Sequence, residues 1–326
     1  MNYRYFHYNC LFVSLMFLIT VIGALITGFE LPGFGAFKFP FVVCVVTGAV
    51  AWYYTYIRKD ENIAHTALGM FSFGLFLKPA LMFSYVSLRI GGGKIDEELL
   101  AFDKAIGFDW TTLGTQIANY PDLLDWMALA YTSSLHVSVI SIFAVGLFFR
   151  KSIQVHQFFT AIVISGFICG LCGGFFPIDG IYREGAISLD TMAKINPIMD
   201  FEVTKMINEL RFGTNLSLNV EDGIGVVGIP SFHTILSFLL VWMARGTGWF
   251  FFLSLLWNAA IIFSTPIMGN HYVADVIGGI VASLAAIWMT HKIYNYIDAN
   301  DNGVEGRSRI FGIALPTTAA ARHAEG

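Results

Sequence analysis

The 326-residue chain is 56 % hydrophobic and only 13 % charged, with 31 phenylalanines and a net charge of −4. A soluble domain carries about 25 % charged residues, so half that figure points to a lipid bilayer as the main solvent. The small net charge, with no basic stripe, argues against nucleic acid as a partner.

Eight runs approach the roughly 20 apolar residues that a membrane helix needs: 11–29, 37–57, 63–89, 127–149, 157–176, 231–245, 248–265 and 272–296. The expected fold is therefore an all-α integral membrane protein with about eight transmembrane helices. The first run exceeds the roughly 7–15 residues of a signal-peptide core and is predicted to be a retained helix. The expected organisation is N-terminal transmembrane helices over 1–90, an extramembrane amphipathic segment over 91–126, a helical bundle over 127–298 and a disordered cytoplasmic tail over 299–326.

Two stretches interrupt the apolar pattern. After Gly91-Gly92-Gly93, apolar Ile95, Leu99, Phe102 and Ile106 recur at helical spacing with acids between them. This predicts an amphipathic helix, either lying on the membrane surface or capping the bundle. The second stretch, 177–228, is too long for an ordinary connection, and its Asp200–Arg211 portion reads as a helix. Asn215-Leu216-Ser217 within it fits the glycosylation tripeptide.

Lysine and arginine set the orientation. Arg4, Arg58, Lys59, Arg150, Lys151, Arg245, Lys292, Arg307, Arg309 and Arg322 fall on one side, which is expected to be cytoplasmic and to hold both termini. The two interrupting stretches then face the periplasm, exterior or lumen, with a plasma or inner membrane as the expected location. Cys169 and Cys172 have the spacing of a redox motif but sit in an apolar helix, where they read as small packing residues. His7, His65, His156, His291 and His323 lie at termini or helix ends on the cytoplasmic side. His136, inside the fourth run, reads as a hydrogen-bonded packing residue or a substrate contact.

The chemistry gathers between Gly228 and Gly279. His271 and Asp275 are four apart, so on a helix they share a face, and the carboxylate can fix the imidazole tautomer. His233 follows Pro230-Ser231 at the start of another helix, where free N–H groups and a hydroxyl suit phosphate oxygens. A nucleophile, an oriented carboxylate, a second histidine and an anion cradle together suit phosphoryl transfer.

Pro230-Ser231-Phe232-His233 resembles the second signature, Pro-Ser-x-His, of the type 2 phosphatidic acid phosphatase superfamily. Ser264-Thr265-x5-His271-x3-Asp275 resembles its third, Ser-Arg-x5-His-x3-Asp, with Thr265 in place of the arginine. That replacement is similar to the branch containing inositol phosphorylceramide synthases. The first signature, Lys-x6-Arg-Pro, is degenerate: Lys205 and Arg211 are one residue too close, and Phe212 stands for the proline. The resemblance implies a six-helix catalytic bundle, with His271 as the nucleophile that forms a phosphohistidine and Asp275 as its support. It implies His233 as the acid for the leaving alcohol. Phosphate contacts are expected from Ser231 and Arg211, with Arg183 and Lys205 as further candidates. No metal or other cofactor is implied.

The expected activity is that of a membrane lipid phosphatase or phosphotransferase. Water and an alcohol can attack the same intermediate, so head-group transfer stays open beside hydrolysis. A proton-coupled or ion transporter using the same three residues, and a zinc enzyme with two His and one Asp, are the other readings.

Overall fold

The structure is a computed structural model, and it describes residues 3–183, 187–213, 225, 228–301, 309–310 and 313–314. The glycosylation tripeptide and most of the tail lie outside these residues.

Helices α1 (Arg4–Thr27), α2 (Lys38–Tyr56) and α3 (Glu61–Ser87) open the chain. Asp60 starts α3 by accepting from the backbone N–H groups of Asn62 and Ile63 at 3.1 and 3.2 Å, which satisfies two donors that no helix can pair internally. Four helices follow: α4 (Asp96–Ala105), α5 (Trp110–Ile117), α6 (Pro121–Thr132) and α7 (Ser134–Phe143). Then come α8 (Ser152–Phe175), α9 (Leu189–Ile195), α10 (Phe201–Phe212), α11 (Phe232–Met243), α12 (Trp249–Gly269) and α13 (Val273–Asp301). The strand content among the described residues is a two-residue antiparallel pair, Arg309–Ile310 with Ile313–Ala314, and an isolated bridge between Pro177 and Gly228. The protein is all-α.

Among the described residues, six helices are long and apolar enough to cross a membrane. α6 and α7 with its π-helical extension pass the same test together and are bent by 51° at their junction, which makes them a broken span or a re-entrant loop. At the bend, the Thr132 and Ser133 hydroxyls donate to the carbonyls of Ala128 and Ala130. Such back-bonding loosens the helical ladder and bends helices. The fourth predicted run is thus not one straight helix, and its helical part starts at Pro121.

The sixth predicted run is shorter than expected. α11 has 12 residues, about 18 Å at 1.5 Å per residue, against about 30 Å of bilayer hydrocarbon. Its ends explain the shortfall. The Cys169 thiol, six residues before the end of α8, meets the carbonyl of Pro230, and the amide of Gln154 near the other end of α8 donates to the carbonyl of Arg245. α11 therefore begins about 9 Å below the end of its neighbour, so the chemistry-bearing segment is recessed into the bundle.

α3 and α8 form the centre, each 67 % buried over its span, whereas α1 and α2 are mostly exposed at the edge. Helices α4, α5, α9 and α10 close the end of the bundle where α8 and α12 finish and α11 and α13 begin. One apolar cluster there joins Leu99, Trp110, Ile195 and Ile207 to Tyr131, Met268 and Tyr272. Two of the dismissed histidines prove to be buried: His65 Nδ1 and His156 Nε2 lie 3.0 Å apart between α3 and α8. His136 is exposed on the surface of α7, so it is not a buried packing residue.

Candidate active site

α12 stops where Asn270 adopts left-handed backbone, φ 61°. Asn270 is pinned from both sides: its side-chain oxygen accepts from Tyr182 N at 2.8 Å, and its amide donates to the carbonyl of Asp179 at 2.8 Å. The opposing Gly180 has φ +85°, and a Cβ there would lie 2.3 Å from the Asn270 carbonyl oxygen. Only glycine lets the two loops approach so closely.

This turn sets His271 one residue ahead of the N-cap of α13. His271 Nδ1 lies 3.3 Å from Asp275 Oδ2, and both side chains are buried. A carboxylate only accepts, so Nδ1 carries the proton and Nε2 carries the free lone pair. The same Asp275 oxygen accepts from Tyr272 N at 2.9 Å. This is half of a capping box, in which the third helical residue reaches back to the N-cap amide. The carboxylate that orients the imidazole thus also takes part in starting the helix.

Ser231 N donates to the carbonyl of Asp275 at 3.1 Å, which joins the start of α11 to the start of α13. Gly279 permits this contact, since a Cβ there would meet Thr234 Cβ at 2.8 Å and Ser231 O at 2.9 Å. His233 stands two residues after Ser231, in the first turn of α11. Serine at an N-cap ordinarily spends its hydroxyl on the first-turn amides; Ser231 does not. Its Oγ is buried with no partner among the described residues, as is Asp275 Oδ1.

The structure therefore brings together His271, Asp275, Ser231 and His233. On α10, Thr204, Asn208 and Arg211 share a face that looks onto this loop: the Thr204 hydroxyl donates to the Asp179 carbonyl and Asn208 reaches the Asp179 carboxylate at 3.5 Å. The Arg211 guanidinium is buried, with one nitrogen on the Gly92 carbonyl, while Nε and Nη1 have no partner among the described residues. Arg183 is half-buried beside Tyr272 and pairs with Glu97 at 2.6 Å. Lys205 is exposed, off the face that carries Arg211. Thr265 is buried, with its hydroxyl 2.8 Å from the carbonyl of Ile261 in its own helix.

The sequence reading missed three contributors. Tyr131 stacks on His233 with ring centroids 4.1 Å apart. Asp96 accepts from the amides of Asp179 and Gly180 and from the Tyr272 hydroxyl, at 2.9 to 3.0 Å. Asp103 accepts from the first amides of α13. No local signal marks any of them, because each meets its partner across a distant part of the chain. Among the described residues, no group of three or more His, Cys, Asp or Glu side chains could hold a metal ion.

Residues 97–289, more than half of the chain, match the family model described as the PAP2 superfamily. This protein belongs to the PAP2 superfamily. Comparison with curated proteins and with solved structures gives no match. Membership supports an enzyme with phosphatase-type activity on lipid phosphoesters. The matched span holds Asp103, Tyr131, Ser231, His233, His271 and Asp275, while Asp96 lies one residue before it.

Proposed function

We propose that this PAP2 superfamily member transfers a phosphoryl group from a lipid phosphoester through a phosphohistidine on His271. The observation that carries the reading is the buried His271–Asp275 pair, tied through the Asp275 carbonyl to the start of the helix that bears His233.

In the first step, His271 Nε2 attacks phosphorus and the bond to the lipid oxygen breaks. His233 delivers a proton to the departing alkoxide, and Asp275 balances the charge that His271 acquires. In the second step, water attacks the phosphohistidine, His233 takes its proton, and phosphate leaves as His271 is regenerated. The hydroxyl of Ser231, the first amides of α11 and the Arg211 guanidinium neutralise the non-bridging oxygens. Positive side chains and helix dipole suffice for this, so no metal is invoked.

Recession of α11 below the end of α8 suits a head group drawn down from the membrane surface. The distribution of Lys and Arg supports an outer-face site with both termini cytoplasmic. Head-group transfer is the second reading, favoured by Thr265 at the arginine position of the third signature, as in the branch of inositol phosphorylceramide synthases. An alcohol then replaces water in the second step.

The test is purified full-length protein incubated with a panel of radiolabelled phospholipids, with and without candidate alcohols, beside His271→Ala. Release of phosphate or a phosphorylated alcohol that His271→Ala abolishes is expected. Turnover that His271→Ala retains on every substrate overturns the nucleophile.

A further inference from the structure

α4 presents an unexpected face to the protein. Its buried residues are Asp96, Leu99 and Asp103, whereas Phe102 and Ile106 are 44 % and 46 % exposed. Burying a carboxylate costs several kcal/mol unless its oxygens are satisfied, so the partners of Asp103 explain its place. Oδ2 accepts from Val273 N at 2.8 Å and from Trp110 Nε1 at 2.8 Å, and Oδ1 accepts from Ala274 N at 3.1 Å.

Val273 and Ala274 are the first two residues of α13, whose orphan amides an N-cap side chain normally serves. The N-cap here is Tyr272, whose hydroxyl is directed instead to Asp96 and the Gly180 carbonyl. The Asp275 and Val276 amides turn back to the Tyr272 carbonyl. Asp103 thus supplies, from a helix 170 residues earlier in the chain, the cap that α13 lacks. The turn it fixes lies between His271 and Asp275.

We propose that Asp103 is a positioning residue: by holding the first turn of α13 it sets the geometry of the His271–Asp275 pair. This inference rests on the reading of His271 as nucleophile. Asp103 touches neither substrate nor the reacting nitrogen, so its loss acts on alignment and leaves binding alone. A misplacement of about 1 Å in such a group costs on the order of 100-fold in rate.

The experiment compares full-length wild type, Asp103→Ala, Asp103→Asn and Trp110→Phe in detergent, with p-nitrophenyl phosphate as the probe. Hydrogen exchange is measured in parallel on the peptide spanning 268–280. Asp103→Ala is expected to lower kcat by about 10- to 100-fold with KM within about threefold, and to speed exchange at 273 and 274. Asp103→Asn, which keeps one accepting oxygen, is expected to fall between. Trp110→Phe removes a donor to the same carboxylate but leaves the α13 bonds, and is expected to match wild type in both readouts.

A kcat within twofold of wild type in Asp103→Ala, or an equal loss in Trp110→Phe, overturns the inference. Should Asp103→Ala fail to purify as a folded species, Asp103→Asn decides by the same two readouts. A wild type whose turnover His271→Ala does not abolish overturns the reading of the site itself, and the exchange data still report whether Asp103 holds the turn.

Discussion

Tyr131 lies flat against His233, with ring centroids 4.1 Å apart and planes 21° from parallel. Its other edge packs on Gly269, where a Cβ would come within 2.8 Å of the ring. A buried tyrosine wedged between the end of α12 and the start of α11 leaves the His233 ring one plane in which to lie. For a group that must hand a proton to a departing oxygen, that plane is the functional variable.

The ring, and not the hydroxyl, makes this contact. Tyr131→Phe is therefore expected to keep turnover within about threefold, whereas Tyr131→Ala frees the imidazole and is expected to lose about 10- to 100-fold. The loss in Tyr131→Ala should shrink with a good leaving group such as p-nitrophenolate, which needs little protonation. Rates on an alkyl and an aryl phosphate, measured side by side, check both statements.

Residues four apart on a helix, or adjacent to the proline that begins one, were legible in the sequence because their geometry is local. His271, Asp275, Ser231 and His233 are of this kind, and the structure gathers all four. Tyr131 and Asp103 were not, since Asp103 meets its backbone partners 170 positions away. What each face of α4 meets was left open by the sequence for a physical reason. Periodicity identifies the apolar stripe but not what it faces, and at a membrane surface apolar side chains can face lipid while acids turn inward to unpaired amides. Phe102 and Ile106 followed the first course and Asp103 the second. The apolar runs were legible as membrane helices, but the bend at Thr132 and the short α11 depend on hydroxyl back-bonding and on tertiary level, which composition does not record.

Gly278 and Gly279 offer a matched pair at the crossing of α11 and α13. A Cβ on Gly279 would stand 2.8 Å from Thr234 Cβ and 2.9 Å from Ser231 O, while one on Gly278 meets nothing closer than 3.4 Å. Gly279→Ala is expected to push the helices apart, at about 1–3 kcal/mol of stability, and to lower kcat about tenfold by separating His233 from His271. Gly278→Ala is expected to be neutral or to stabilise by about 0.5–1 kcal/mol through helix propensity. Thermal melting and initial rates of the two proteins give opposite signs if the close approach matters.

Burial raises the Asp96 carboxyl above its ordinary value of 3.8, partly opposed by the amides of Asp179 and Gly180 and by Tyr272. Between the ordinary and the raised value, the folded protein holds a proton that the unfolded chain has released. Stability contributed by this group is therefore complete below the ordinary value and declines as pH rises through the raised one. Asp96→Asn removes that decline and is expected to flatten the dependence of Tm on pH across this window. The Arg183 hydrogen bond holds Glu97 below its usual range, which gives a slope of opposite sign. Glu97→Gln should remove only that one. A Tm profile unchanged by Asp96→Asn would contradict the assignment.

The remaining question at the site is which cation meets the phosphate, since the position that carries arginine in the family signature is Thr265. Its hydroxyl is committed to the Ile261 carbonyl within α12, so it neither carries charge nor reaches outward. Arg211 is buried on the face of α10 that looks onto Asp179 and Asn270, held at one nitrogen by Gly92, with Nε and Nη1 unpaired among the described residues. Nε and Nη1 face different edges of the guanidinium, so each is a single donor that can meet one phosphoryl oxygen. Arg211→Ala is expected to lower kcat/KM by at least about 100-fold, the scale for removing one stabilising donor at a developing oxyanion. Arg211→Lys should recover little, because one ammonium on a flexible stem cannot hold the Gly92 carbonyl and a phosphoryl oxygen in the fixed planar arrangement of the guanidinium. Thr265→Val is expected to stay within about threefold of wild type. Near-wild-type turnover in Arg211→Ala would move the role to Arg183, whose pairing with Glu97 at 2.6 Å would then have to open for substrate, so that Glu97→Gln would raise kcat/KM instead of leaving it unchanged.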